Sequence, residues 1–154
     1  MMRSLSSSNP VSSEYKRAFY KLYPCLSGCS FSESYALMME KCFVSSLYSG
    51  AKCQTRRLFK QSRTDKHMES YNIKQLVRVW RGQSDVDTIG WVMYSSLYYQ
   101  KVRDMSRDDF AHEGLPDCTI DTFIADYMMD RKTGRDRSKE PLLVLCFEFY
   151  RFPL

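Results

Sequence analysis

Residues 50–57 read Gly-Ala-Lys-Cys-Gln-Thr-Arg-Arg, and this short basic segment decides which fold we expect. Its spaced pattern is G-x-K-x-x-T-x-R, with Gly50, Lys52, Thr55 and Arg57 at the four fixed positions. Gly50 follows an apolar stripe of helical spacing, the position typical of a glycine that ends a helix. The segment is therefore expected in a loop or at the start of a strand. Only a non-strand backbone would bring Lys52 and Thr55 onto one site, because residues three apart in a strand point to opposite faces.

The charges of the chain are unevenly distributed. The net charge is +5, and six basic residues lie between Lys52 and Lys66, where Asp65 is the only acid. Such a run is often no more than a solvated face. It can also form a site for phosphate or RNA. In that case Arg56 and Arg57 offer planar donors for a phosphate or a carbonyl oxygen.

Composition argues against several classes of protein. The chain has 154 residues, of which 44% are hydrophobic, so disorder throughout is not expected. No apolar run approaches the roughly 20 residues that span a membrane, and no signal peptide is visible, so we expect a cytoplasmic protein. The six cysteines are interpreted mainly as buried free thiols. Neither the Cys25 and Cys29 pair nor His67 and His112 have further ligands at metal-binding spacing, and we expect no metal and no cofactor.

The first third of the chain predicts an extension followed by a strand and a helix. Residues 1–13 are rich in serine and are expected to form a flexible tail. Residues 14–24 carry enough apolar side chains for a packed extension or a short helix that ends at Pro24. A short strand is predicted over 26–31. A helix should then run over 32–50, because it begins with a capping serine and an early acid.

The remainder predicts a sheet with two short helices. Three segments rich in β-branched and aromatic residues are predicted strands: 75–80, 89–102 and 142–150. The second strand is expected to bend or bulge near residues 95–96. A capping box at residues 106–109 opens a helix that stops at Gly114, and another helix starts at Thr119. Residues 130–140 are polar and predict a loop. This order fits an α+β domain whose sheet can close into a small barrel.

The G-x-K-x-x-T-x-R motif resembles the signature of the ASCH family, a group of PUA-like β-barrel domains. The order of the predicted elements agrees with that family over about residues 29–152. Glu113 and Gly114, for example, resemble the end of its short helical insert. The resemblance implies an α+β fold with a small PUA-like barrel and short flanking helices over 29–154. It leaves residues 1–28 as an N-terminal extension, partly flexible.

The resemblance also implies a ligand class. Members of the family bind RNA, have been linked to ribonuclease activity, or are small bacterial amidohydrolases that deacetylate N4-acetylcytidine. By resemblance, the catalytic residues of those amidohydrolases match Lys52, Thr55 and Glu113. The three residue types suit the reaction, because a threonine hydroxyl needs a neighbouring base and a buried lysine can serve as one. We expect a binding module for RNA or a nucleotide, with an N4-acetylcytidine amidohydrolase as the alternative and a ribonuclease as a weaker one.

The residues expected to contact the ligand, called here the ligand wall, come from the motif and from the strand that follows it. They are Gly50, Arg56, Arg57, Arg78, Trp80 and Arg81. Trp80 lies between Arg78 and Arg81 and can stack on a base. Aromatic side chains on strands are more often part of a core, so that interpretation stays open beside the functional one. The expected partner is RNA or a modified nucleoside, without a membrane.

Overall fold

The computed structural model describes residues 10–82 and 88–153, which form an α+β fold. Five strands make one mixed sheet in the order β1-β3-β4-β5-β2. The strands are β1 (Phe31–Met39), β2 (Gln54–Arg57), β3 (Leu76–Arg81), β4 (Thr88–Gln100) and β5 (Leu142–Arg151). The helices are α1 (Ser13–Leu22), α2 (Val44–Ser49), α3 (Gln61–Asn72), α4 (Arg107–His112) and α5 (Ile120–Tyr127). β1 runs parallel to β3, and the other neighbouring strands are antiparallel.

α1 confirms the predicted short helix and packs on the sheet. Ser12 caps it by accepting a hydrogen bond from the backbone N–H of Tyr15. The Tyr15 hydroxyl in turn accepts a bond of 2.8 Å from the indole N–H of Trp91 in β4. Phe19 packs edge to face on Phe31 of β1, with ring centroids 5.2 Å apart. Of the expected flexible tail, residues 1–9 lie outside the described part of the chain.

The later elements follow the patterns of the sequence closely. The three predicted strands are present as β3, β4 and β5, and the register of β4 against β5 shifts between Tyr94 and Ser96, as the expected bulge requires. The capping box of α4 is formed between Ser106 and Asp109. Thr119 caps α5 through its hydroxyl. The polar residues 130–140 form turns with one isolated bridge, as predicted for a loop.

Two predictions near the motif were wrong. The first part of the expected helix over 32–50 is strand: residues 32–39 belong to β1, and α-helix is confined to α2, which follows a 3-10 turn at Lys41–Phe43. Leu37 and Met39 are buried whereas Met38 is exposed, which is the period-2 pattern of a strand whose pairing with β3 overrides the helical stripe. The strand expected over 26–31 was wrong: a 3-10 turn at Pro24–Leu26 is followed by a turn at 27–28 and two irregular residues, and only Phe31 belongs to β1.

The described sheet is open rather than closed into a barrel by backbone pairing. β1 and β2 are its two edges, because neither pairs with a second strand among the described residues. One side chain joins them: Arg57 Nη2 of β2 donates to the Met38 carbonyl of β1 at 2.8 Å. The main core lies inside this curled sheet and includes Leu37, Val77 and Leu145. No helix in the described ranges has the length and apolar character needed to cross a bilayer.

Candidate functional site

A cavity of about 300 Å³ opens beside the free edge of β2, between the end of β1 and the α4–α5 region. This size suits a small molecule such as a nucleoside. Apolar side chains form much of its wall: Met38, Phe43, Leu58, Leu115, Phe123, Met128, Met129 and Leu142. The charged and hydroxyl-bearing residues of the wall are Glu40, Lys52, Thr55, Arg56, Arg57, Glu113, Tyr127 and Arg137. The structure thus brings together Lys52, Thr55 and Glu113, which the sequence resemblance had grouped.

Lys52 is a deeply buried cation of the cavity. It retains only 2% of its exposure, and its Nζ donates to the carbonyl oxygens of Gln54 at 2.9 Å and Glu113 at 2.7 Å. The same Nζ lies 4.4 Å from the centre of the Phe43 ring. Burial lowers the pKa of Lys52 from 10.5 to about 8, against the opposing effect of the Glu113 carboxylate. A substantial fraction of this amine is therefore neutral at mildly alkaline pH.

Glu113 reaches the cavity from the end of α4 and is 4% exposed. Its Oε1 accepts from the backbone N–H of Arg56 at 2.9 Å and lies 3.7 Å from Lys52 Nζ. Its Oε2 accepts from Arg56 Nη1, also at 2.9 Å. The following Gly114 has a φ of +82°, and a Cβ there would stand 3.3 Å from Lys52 Cβ and 3.3 Å from Phe43. Glycine therefore lets the chain turn directly against Lys52.

Arg56 is engaged on every side of its guanidinium. Besides Glu113, it donates from Nε to Gln100 at 2.8 Å and its Nη2 lies 3.1 Å from an oxygen of Asp109. Gln100 also donates to Asp109, at 3.1 Å. Arg56 is 5% exposed, so this cation ties β2 to β4 and α4 inside the protein. Two carboxylates balance its charge, which leaves it little capacity to bind a phosphate.

Thr55 and Arg57 lie on the opposite face of β2 from Arg56, as the two-residue period of a strand requires. Thr55 is 2% exposed, and its Oγ1 accepts a hydrogen bond of 3.0 Å from Arg57 Nε. Because the hydroxyl accepts this bond, its own proton remains available for another acceptor. Arg57 is fixed at its other end by Met38. The pair thus presents an oriented hydroxyl beside a positive charge.

Four residues of the predicted ligand wall lie elsewhere. Gly50 ends α2 with a φ of +83°, as expected for a helix-ending glycine, and lines a different surface groove. Arg78 is buried 5.2 Å from the Trp91 ring, so it supports the sheet. Trp80 is half-buried and Arg81 is exposed on β3, and neither lines the cavity. The motif contributes to the wall, whereas β3 does not.

Sequence reasoning missed several residues that shape the cavity. Asp109 was recognised only as part of a capping box, and Gln100 lay unremarked within the predicted strand over 89–102. Glu40 carries no sequence signal, and Tyr127 fits only the apolar stripe of the helix that starts at Thr119, so it was interpreted as core. The fold brings their charges close enough to interact. Burial raises the pKa of Tyr127 to about 12, and the negative charge of Glu40 adds to that shift.

The described residues offer no evident site for a metal ion. Residues 10–82 and 88–153 contain no group of three or more His, Cys, Asp or Glu side chains arranged to hold a metal ion. All six cysteines are free thiols, as predicted. Their expected burial was wrong, since Cys25 and Cys42 are exposed and the other four are half-buried. Most of them lie near the surface because they sit in turns and at strand or helix ends.

Comparison with known proteins adds no relative: no family model matches this chain, and no curated protein or solved structure matches it significantly.

Proposed function

We propose that this protein is a small amidohydrolase that removes the acyl group from an N-acylated cytosine nucleoside of the N4-acetylcytidine type. One observation carries the proposal. The buried amine of Lys52, with its pKa lowered to about 8, shares a nucleoside-sized cavity with the oriented hydroxyl of Thr55 and the carboxylate of Glu113. An amine that can lose its proton near neutral pH is what a threonine nucleophile requires.

The proposed reaction has two halves. The Thr55 oxygen attacks the acyl carbonyl carbon while the neutral amine of Lys52 takes the hydroxyl proton. The C–N bond then breaks, Lys52 returns that proton to the departing cytosine amine, and the acyl group remains on Thr55 as an ester. In the second half Lys52 takes a proton from a water molecule, whose oxygen attacks the ester carbonyl carbon. The ester C–O bond then breaks, Lys52 returns the proton to the Thr55 oxygen, and the carboxylic acid is released.

Glu113 and Arg57 have supporting roles in this proposal. Glu113 accepts on both carboxylate oxygens from Arg56 and stands beside Lys52, so it acts as a positioning residue that holds the lysine and the strand edge in place. Arg57 donates to Thr55 Oγ1, which favours the build-up of negative charge on that oxygen. The apolar side of the cavity excludes water from the acyl group.

The proposal includes membership of the ASCH family and its PUA-like fold, which rests on the motif at residues 50–57. The curled α+β sheet, with Arg57 linking its two edges, is compatible with that assignment. Hydrolysis comes ahead of plain RNA binding because Arg56 is neutralised inside the protein. RNA binding remains the second candidate, since Lys60 and Arg63, which form no ion pair within residues 10–82 and 88–153, line a cavity together with Arg57.

Steady-state release of cytidine from N4-acetylcytidine tests the proposal in three proteins. Wild type and Thr55→Ser, which keeps the hydroxyl, should turn over substrate. Thr55→Val keeps the shape of the side chain and should lose at least about a thousandfold in kcat, because the nucleophile is gone. Circular dichroism and thermal unfolding establish that the variants are folded. Equal activity of Thr55→Val and wild type would refute a Thr55 nucleophile, and a folded wild type without turnover would refute hydrolysis.

A further inference from the structure

A second cavity of about 300 Å³ lies on the other side of Arg57 from the main one. The two cavities share three wall residues, Met38, Arg57 and Leu58, so they adjoin each other along a layer of side chains. That layer is held in place by the bond from Arg57 Nη2 to the Met38 carbonyl. A ligand in the main cavity therefore needs to extend only past Arg57 to reach the second one.

The charged side chains among the described lining residues of the second cavity are all basic. Arg57, Lys60 and Arg63 line it together with the hydroxyl of Ser62, and no Asp or Glu is among its described lining residues. The nearest acid along the chain, Asp65, accepts a hydrogen bond from Gln61 at 2.8 Å on the surface of α3. Three cations facing one concave space repel each other, and a bound anion relieves that repulsion.

The cations of the two cavities differ in how they are paired. In the main cavity, Arg56 is bonded to Asp109 and Glu113, and Arg137 is bonded to Glu140. Within residues 10–82 and 88–153, no ion pair involves Lys60 or Arg63. Lys60 is exposed and Arg63 is half-buried, so both can turn toward a ligand. Arg57 is already fixed by two hydrogen bonds and pays little entropy to bind.

We propose that the second cavity binds a phosphate group attached to the sugar of the nucleoside held in the main cavity. This inference rests on the proposed function, and it makes the substrate a nucleotide or an oligonucleotide rather than a free nucleoside. Arginine and lysine recognise phosphate through charge-assisted hydrogen bonds, for which Ser62 supplies a further donor. A nucleoside 5′-phosphate and an internucleotide phosphate offer the same chemistry to this cavity.

Binding measurements test the inference without requiring turnover. Isothermal titration with the full-length protein compares cytidine, cytidine 5′-monophosphate and a short single-stranded RNA at low salt. Three proteins are compared: wild type, the double variant Lys60→Gln/Arg63→Gln, and the control Arg131→Gln/Lys132→Gln. The control removes the same charge from two exposed residues that line neither cavity.

We expect at least one phosphate-bearing ligand to bind wild type about tenfold or more tightly than cytidine does. The Lys60→Gln/Arg63→Gln variant should lose most of this preference and keep its affinity for cytidine, whereas the control should keep both. A preference for the mononucleotide identifies a terminal phosphate, and a preference for RNA alone identifies an internucleotide one. Equal affinities in wild type, or a preference that survives in the double variant, would overturn the inference.

Failure to hydrolyse N4-acetylcytidine is a separate result, because it refutes the proposed reaction and leaves the phosphate preference measurable.

Discussion

The side-chain carboxylate of Glu113 accepts a hydrogen bond of 2.9 Å from the backbone N–H of Arg56. Arg56 lies in β2, whose only partner in the described sheet is β5, so this N–H points to a free strand edge. A carboxylate from the end of α4 thus takes the place of a neighbouring strand. The same oxygen lies 3.7 Å from Lys52 Nζ, so the docking of α4 and the position of the proposed base depend on one side chain.

Replacement of this carboxylate should affect both stability and the pKa of Lys52. In Glu113→Gln, Arg56 loses one of its two charged partners, which should destabilise the protein by about 3 kcal/mol. Because Glu113 raises the pKa of Lys52, its neutralisation should lower that pKa below about 8. Urea unfolding gives the first quantity, and nitrogen-15 NMR titration of the lysine amines gives the second. Asp108→Asn, at an exposed position on the same helix, is the matched control. A Glu113→Gln protein with unchanged stability and an unchanged Lys52 titration would disprove this role.

Arg57 should matter for activity, whereas Arg81, another arginine of the predicted ligand wall, should not. Arg57→Gln removes the donor to Thr55 Oγ1 and the link to Met38, so we expect kcat to fall about a hundredfold. Stability should fall by about 1 kcal/mol for the lost hydrogen bonds. Arg81→Gln removes the same charge from an exposed position outside the cavity and should retain wild-type kinetics. Equal losses in both variants would indicate that general charge, and not the Thr55 contact, is responsible.

His67 should make the protein sensitive to acid. It is fully buried in α3, where Nδ1 contacts the Tyr94 hydroxyl at 2.6 Å and the ring stacks on Phe59. Burial, with Arg63 and Arg57 adding to it, lowers the pKa of His67 to about 3. The unfolded chain, with a pKa of about 6.5, binds more protons between these values. The contribution of His67 to the free energy of unfolding is therefore fully present above about pH 6.5 and is lost as the pH falls toward about 3.

The His67→Asn variant isolates that contribution, because asparagine cannot take up the proton. Urea unfolding at pH 7, 6 and 5 should show wild type losing stability relative to the variant, on the order of 1.4 kcal/mol per pH unit below pH 6. The comparison between the two proteins removes the contributions of the other acids. Parallel pH dependences would show that the pKa of His67 is the same in the folded and the unfolded protein.

Local chemistry made the later elements predictable from sequence, whereas tertiary pairing decided the earlier ones. The capping box of α4, the capping threonine of α5 and the aromatic strands carry their own signals, so α4, α5, β4 and β5 were anticipated. β1 was predicted as a helix because its sequence shows no clear alternation of apolar and polar residues. Its pairing with β3, which buries Leu37 and Met39, is a tertiary contact that the sequence pattern does not reveal. α3 was missed because its buried face consists of Thr64, His67 and Ser70, which give no apolar stripe.

The site was only partly accessible to sequence reasoning. Spacing alone could bring Lys52 near Thr55, but Glu113 was grouped with them by family resemblance, and the fold brings it there. Arg56 was interpreted as a phosphate ligand because it stands in a basic run with no acid beside it. Its two acidic partners, Asp109 and Glu113, are more than fifty residues away in sequence. Charge pairing over such separations leaves no local pattern, so a basic run cannot show which of its cations are already neutralised.

Conversion of N4-acetylcytidine to cytidine by the purified protein, measured from pH 6 to pH 10, tests the central claim most directly. The neutral amine of Lys52 is the proposed base, so kcat/KM should rise with pH and level off above a pKa of about 8. Lys52→Met, run in parallel, should show no conversion at any pH while remaining folded. The account is contradicted if the folded wild type leaves the substrate intact across the range, or if Lys52→Met retains the activity.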